Sequence, residues 1–384
     1  MKKAIMYGAG NIGRGFIGKT FSDSEFEVCF IDVNNNIVKK LNEDREYPVK
    51  IVFNDMQREE IVKNVRAVNG LEIEKIAEEI TSADIMATAV GVNVIPKIVK
   101  PICYALKKRF KLNTRPLNII ICENLIDADQ YLRRLIENEM GAEYKPILDK
   151  KLGLIEASIG RMVPVMTEDM QEGNILKVWV EPYEELPVDK EAFIGKIPDL
   201  KGLVPYSPFS FYIKRKLYIH NMGHALCAYL GWAKGYTYIY ECIADKKIRA
   251  VAYEAMKETA KALTVEYKIP MKTLTDHIDD LLNRFANKVL ADTVARVGRD
   301  PLRKIEYNDR LIGAAVYCEK QGIEPHNIIH GIVAALRYNN KQDESSIKMQ
   351  AMIKEMGICD FLFSHCGLKK ETALYQEITA LLQL

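Results

Sequence analysis

An apolar run from Lys3 to Tyr7 breaks directly into GAGNIGRG and continues as FIGKTF. Strand, glycine turn and helix in that order leave few folds open. Gly8, Gly10 and Gly13 have the G-x-G-x-x-G spacing, in which the glycines permit a tight turn. The turn, with Ala9, Asn11 and Ile12, can then approach a pyrophosphate at the helix N-terminus. A second strand-like run, Glu27 to Ile31, ends at Asp32, about the distance at which an acid grips an adenosine ribose diol. The same acid repels a 2′-phosphate, so the spacing predicts NAD in preference to NADP. The competing reading is an accidental glycine-rich turn.

The alternation of strand and helix continues. DIMATAV (84–90) reads as a strand leading into Gly91 and a helix from about Pro96 to Phe110. LNIIIC (117–122) reads as another strand, followed by Glu123, Asn124 and a helix over roughly 126–140. Strands separated by helices imply a mostly parallel sheet, whose ligands lie beyond the C-terminal ends of the strands. Topology therefore places Gly91 and Asn124 near the cofactor, with turn chemistry as the alternative for each. Between 151 and 195 the pattern becomes β-type, in GLIEASIGRMVPVM and NILKVWVEPYEEL; these stretches are expected to extend the sheet and form the seam to a second domain. MTEDMQEGN (166–174), between them, reads as an acidic surface loop.

At 384 residues the chain is too long for one ordinary core. Two domains are expected, 1–195 with the nucleotide-binding sheet and its extension, and 196–384. A net charge of +2 from 54 basic and 52 acidic residues gives no reason to expect nucleic acid, though a few basic side chains suffice for one phosphate. Glycine interrupts the N-terminal apolar run at once, against a signal peptide. No run approaches the roughly 20 apolar residues of a membrane span. The 8 cysteines lack CxxC spacing and mostly lie in apolar runs, as reduced thiols of a cytoplasmic protein would.

After Pro198 and Pro205 the pattern turns helical, over about 212–230, 236–262, 270–289, 308–320, 324–338, 343–356 and 370–383, with no repeat period. The fold class is α/β: an N-terminal Rossmann-type, mostly parallel sheet followed by a mainly α-helical domain. Such a pair suggests a cleft, with cofactor on one side and substrate groups on the other. KLYIHNMGHALCAYLG (216–231) opens with one lysine, one asparagine and two histidines, then becomes apolar. On an ideal helix Asn221 lies about 140° and His224 about 80° from Lys216, so all three can border one cleft. Hydride transfer between alcohol and ketone needs a base for the hydroxyl proton and donors around the carbonyl oxygen. A lysine serves as that base only where burial or positive neighbours lower its pKa. His220 is one turn from both Lys216 and His224. The His220/His224 spacing also suits a metal, but no nearby Asp, Glu or Cys completes a site. Spacing alone leaves catalysis and a merely satisfied polar helix equally open.

GAGNIGRGFIG (8–18), CENLIDA (122–128), K-x4-N-x2-H (Lys216, Asn221, His224), NRFAN (283–287) and RVGRDPLRK (296–304) together resemble the polyol-specific long-chain dehydrogenases, the mannitol dehydrogenase family, over essentially the whole chain. The resemblance implies that Lys216 is the general base, that Asn221 orients and polarises the reacting oxygen, and that His224 contacts substrate, with His220 a neighbour. Asn124 is a possible second donor from the cofactor side. Compact length and the GRGF turn favour the sugar-phosphate branch over the longer mannitol and hexuronate enzymes. That branch implies metal-free, NAD-dependent interconversion of D-mannitol 1-phosphate and D-fructose 6-phosphate. A monomer is expected, a dimer being the alternative. The competing readings are a related polyol or hexuronate dehydrogenase, and a non-catalytic protein that binds NAD or a sugar phosphate. A substrate phosphate requires guanidinium or ammonium groups. The densest supply outside the glycine turn is Arg296, Arg299, Arg303 and Lys304, with Arg310 soon after; Asp300 and Glu306 offer these cations an ion-pair network instead.

Overall fold

The computed structural model describes residues 1–384 apart from 113, 114, 165 and 384. The chain divides into two compact units, Met1–Ser210 and Phe211–Leu384. In the first unit the strands are β1 (Lys2–Tyr7), β2 (Phe26–Asp32), β3 (Glu46–Phe53), β4 (Met56–Lys63), β5 (Val65–Asn69), β6 (Ile85–Thr88), β7 (Leu117–Ile121), β8 (Leu152–Glu156), β9 (Val178–Val180), β10 (Leu186–Asp189) and β11 (Leu203–Tyr206). Six of them form one parallel sheet in the order β5-β2-β1-β6-β7-β8. Counted within the sheet this is the 3-2-1-4-5-6 order of a dinucleotide-binding fold, with its switch point between β1 and β6.

Alternation along each strand builds two cores, one on each face of the sheet. Ala4, Met6, Val28 and Phe30 pack against Phe16, Ile17 and Phe21 of the first helix. Ile5, Tyr7, Cys29 and Ile31 face Ile76, Ile80, Ile98 and Ile102 from helices Ile73–Ser82 and Ile95–Leu112. The predicted β-type stretch from 151 divides its strands among the sheets. β8 joins the main sheet, β9 pairs with β3 in a three-stranded sheet with β4, and β10 pairs with β11. Val165 of that stretch lies outside the described residues. The acidic loop carries one helical turn, Glu168–Gln171, because Thr167 accepts a hydrogen bond from the Met170 amide.

The second unit is helical. The expected helix over 236–262 is interrupted at Asp245, whose extended backbone ends Ile239–Ala244 and whose carboxylate caps Lys246–Tyr267. The expected helix over 212–230 runs as Ser210–Lys214, a π-helical turn over Arg215–Asn221, and Met222–Ala233. Pro301 begins the short helix Pro301–Lys304, as expected of a proline at the first helical position. All eight cysteines are free and all but Cys359 are buried. Among the described residues no helix is long and apolar enough to cross a membrane.

Candidate active site

The turn after β1 is shaped by contacts that only glycine tolerates. Gly8 has φ +101°, and a Cβ there would lie 2.4 Å from the Ala89 carbonyl oxygen; a Cβ on Gly13 would lie 2.0 Å from that of Gly8. Gly10 differs, because its Cβ would meet nothing within 4 Å. The outer two glycines, Gly8 and Gly13, are demanded by the fold and the middle one is not. The helix then starts at once, with Arg14 N–H donating to the Gly10 carbonyl at 2.9 Å. The amides before Arg14 stand outside the helical ladder, in the position where a helix N-terminus receives an anion. Arg14 itself is buried, donating to the Ala9 and Leu176 carbonyls, and shores up the turn from behind. Asp32, the last residue of β2, accepts from the Ala9 amide at 2.6 Å and the Asn34 amide at 2.9 Å. A carboxylate has about four acceptor positions, so lone pairs remain for a ribose diol. The turn thus fits a dinucleotide: two glycines make the cradle, the third leaves it open, and an acid borders it.

Gly91 and Asn124 follow β6 and β7 on the adjoining loops. Gly91 has φ +91°, which suits glycine. Glu123, buried, holds the loops together, accepting from the Val90 and Gly91 amides at 2.8 Å each. The Asn124 side chain is exposed. Sequence reading gave Glu123 no role, because the Val90 and Gly91 amides that it holds lie more than 30 residues away in the chain.

In the second unit the π-turn changes the expected geometry. In an i→i+5 winding, residues five apart stack along one face, whereas an ideal α-helix separates them by about 140°. Lys216 and Asn221 are five apart, both within the turn and both half-buried. His220 and His224 lie against Phe285, with His224 stacked on its ring at 4.4 Å and 12°. The NRFAN segment therefore walls this site: Phe285 supports His224, buried Arg284 adds positive charge, and Asn287 caps the following turn. Burial, then the charge of Arg284, His224, His277 and Lys216, holds His220 well below the ordinary histidine range. It stays neutral at neutral pH. His277 is lowered likewise, by burial and then by Arg215 and Arg284.

His224 Nε2 lies 3.1 Å from Asp292 Oδ2, off the line of a well-formed hydrogen bond. Asp292 is the second residue that sequence reading missed, since it stands far from His224 in the chain. Its carboxylate also takes both forks of Arg296, at 2.6 Å each.

The remaining basic candidates separate. Arg303 is held by Asp300 at 2.8 Å and Asp309 at 3.1 Å, and Arg310 by Asp309 at 2.7 Å. Lys304 is buried and turned inward, donating to the Val297 carbonyl at 2.6 Å and to that of Arg299. Burial and neighbouring Arg310 and Arg303 bring its pKa down to about 7. Glu306 makes no ion pair with any of them among the described residues. Arg299 is exposed and makes no ion pair among the described residues.

Comparison with known proteins covers both units. The family profile for the mannitol dehydrogenase Rossmann domain matches residues 2–202, and that for the mannitol dehydrogenase C-terminal domain matches 209–380. A mannitol-1-phosphate 5-dehydrogenase of Geobacillus stearothermophilus is 36% identical over 373 residues, 97% of this chain and 96% of that protein. One from Bacillus licheniformis is 35% identical over 374 residues, 97% of each. In fold, the chain is similar to Pseudomonas fluorescens mannitol 2-dehydrogenase, solved as a ternary complex with NAD and D-mannitol, at TM-score 0.75 and 14% identity, covering 100% of this chain and 94% of that one. It is also similar to D-sorbitol dehydrogenase in substrate-free form, at TM-score 0.82 and 13% identity, covering 100% and 93%. With profiles that span both units and relatives of this identity along nearly its whole length, the chain belongs to the mannitol dehydrogenase family.

Proposed function

We propose that the chain is an NAD-dependent oxidoreductase that interconverts D-mannitol 1-phosphate and D-fructose 6-phosphate. The observation that carries this reading is the full-length likeness to mannitol-1-phosphate 5-dehydrogenases. The π-turn adds support by setting a lysine and an asparagine on one face. NAD, when bound, supplies the hydride acceptor, and NADH the donor in reverse. The turn at Gly8, Ala9, Gly10, Asn11, Ile12 and Gly13 holds its pyrophosphate on the helix N-terminus. Asp32 receives the ribose diol, and Gly91 and Asn124 line the loops of the switch point. Lys216 takes the substrate hydroxyl proton at Nζ during oxidation and returns it during reduction. Asn221 donates its amide hydrogen to the oxygen on which negative charge develops, with Asn124 as the second donor. His224 contacts a neighbouring substrate hydroxyl. His220, neutral and buried, packs the site and carries no proton in the reaction.

Phosphate recognition falls first to Arg299, the candidate cation without a carboxylate partner among the described residues, and next to Arg296, half-exposed and held by Asp292. Arg303 and Arg310 reach a phosphate only by sharing Asp300 and Asp309, and Lys304 acts by fixing the loop that carries Arg299. The same pairing favours a second reading, a dehydrogenase of uncharged, unphosphorylated polyols, because acids already neutralise most of the cluster. The protein is read as a cytoplasmic monomer. Parallel assays of NADH oxidation with fructose 6-phosphate and with fructose test the assignment. A strong preference for the phosphate that Arg299→Met reduces is expected. Equal reduction of both sugars refutes the sugar-phosphate reading, and a preference untouched by Arg299→Met removes Arg299 from the site.

A further inference from the structure

The ring of His224 is held from two sides. Phe285 stacks on its face and the Asp292 carboxylate stands at its Nε2 edge. Asp292 does not owe its own place to that contact. Its carbonyl accepts from the Ile239 amide at 2.9 Å, and the Val294 amide donates to the Thr237 carbonyl at 2.9 Å, so the loop is tied on both sides of the acid. One turn on, Thr293 Oγ1 accepts from the Arg296 amide at 3.2 Å and starts the short helix Val294–Gly298, which brings the Arg296 guanidinium back onto both oxygens of the same carboxylate. Burial pushes the Asp292 carboxyl up, but His224 and Arg296 outweigh burial and hold it below its ordinary value. It is therefore ionised at neutral pH and acts purely as an acceptor.

We infer that Asp292 is a positioning residue: its carboxylate fixes the tautomer and ring plane of His224 and, in the same grip, holds Arg296 beside that ring. The inference rests on the reading of His224 as a substrate contact. Its chemical content is specific. Although the contact lies off the line of a hydrogen bond, an anion 3.1 Å from Nε2 favours the hydrogen there over a lone pair facing the carboxylate, which leaves Nδ1 of a neutral ring as an acceptor. His224 then receives a hydrogen bond from a substrate hydroxyl. Because one carboxylate serves both partners, the histidine that reads a hydroxyl and an arginine suited to the phosphate end keep a fixed spacing. A linear polyol phosphate is held at both points, which places its reacting carbon.

Two measurements on the full chain test this. In protein labelled with 15N-histidine, ring spectra at neutral pH should report the Nε2-protonated tautomer for His224, assigned by the signals missing from His224→Asn, and Asp292→Asn should disturb those signals. Ring signals are read without turnover, so their failure is separate from a failure of the parent enzyme to reduce fructose 6-phosphate. Kinetically, Asp292→Asn should lower kcat/KM for fructose 6-phosphate roughly 30- to 100-fold while the Kd for NADH stays within about twofold, and Asp292→Asn added to a variant carrying both His224→Ala and Arg296→Met should cost less than about threefold more. Losses that multiply in the triple variant, an Nδ1-protonated His224 in the parent, or a spectrum unmoved by Asp292→Asn each overturn the inference. If Asp292→Asn fails to fold, the parent tautomer alone decides.

Discussion

Replacement of Gly10 by alanine separates what the first turn does for the fold from what it does for the cofactor. A Cβ at Gly10 meets nothing within 4 Å, and this glycine is not among those with positive φ. The folded state therefore accepts a methyl without strain, and the smaller entropy of the unfolded chain leaves stability unchanged or raised by about 0.4–1 kcal/mol. The methyl instead projects where the backbone must approach a pyrophosphate. Losing one or two charge-assisted hydrogen bonds at about 1.5–2 kcal/mol each comes to about 1.5–4 kcal/mol, or roughly 10- to 1,000-fold in Kd. The control is Gly13→Ala, whose Cβ would sit 2.0 Å from the Gly8 carbonyl oxygen and 3.1 Å from its carbon. Neither backbone atom can swing away, so that variant should lose about 1–3 kcal/mol of stability as an overpacked site does. Thermal melts and NADH fluorescence titrations on the two variants should dissociate: Gly10→Ala melts like the parent and binds NADH poorly, and Gly13→Ala melts early. Parent-like NADH affinity in Gly10→Ala refutes the placement of the pyrophosphate, and an early melt refutes the packing argument.

Why this turn was legible in the sequence, while other parts were not, follows from the same contacts. Gly8 and Gly13 are fixed by backbone atoms within a few residues or on the neighbouring strand, so their spacing survives as a motif. The main sheet was legible because β1, β2, β6 and β7 are buried and read as apolar runs. The β3/β4 hairpin was not: most of β4 faces solvent, so MQREEIVK shows no hydrophobic period, and Pro48 breaks the appearance of a strand in β3. Lys216, Asn221 and His224 were legible as a constellation, but the π-turn that sets their geometry left no local trace. KLYIHN has an ordinary helical pattern, and the wider winding accompanies contacts made far along the chain, such as Tyr218 stacked on Tyr317 and His220 against Phe285. Positively charged RVGRDPLRK overstated the free charge for a related reason. Asp292 and Asp309, which neutralise Arg296, Arg303 and Arg310, lie outside that stretch.

Lys216→Ala should lower kcat by a factor of about 10²–10⁴ while the Kd for NADH, followed by fluorescence, is unchanged; near-parent turnover across the pH range would remove Lys216 from proton transfer. Asp32→Ala should narrow the preference for NADH over NADPH in steady-state assays. It should also lower the melting temperature, because the Ala9 and Asn34 amides lose their acceptor at about 1–3 kcal/mol; an unchanged cofactor ratio would count against the ribose contact. Glu156, at the end of β8, gives a pH test that needs no substrate. Burial raises its carboxyl first, the Ala128 amide at 2.8 Å opposes this, and Asp129, Asp127 and Asp189 add to the rise, bringing the pKa to about 7. Between its unfolded value of about 4.3 and 7 the folded chain holds a proton that the unfolded chain has released, so stability is highest below that window and falls as pH rises through it. Glu156→Gln keeps an acceptor for Ala128 but cannot ionise. Its stability relative to the parent should therefore grow by about 1–2 kcal/mol between pH 4.5 and pH 8, after allowance for solvent screening of a partly exposed group. Chemical denaturation of both proteins at the two pH values measures that difference directly, and an equal gap at both would show that Glu156 is ionised in the fold at ordinary acidity, with the Ala128 amide outweighing burial and its three acidic neighbours.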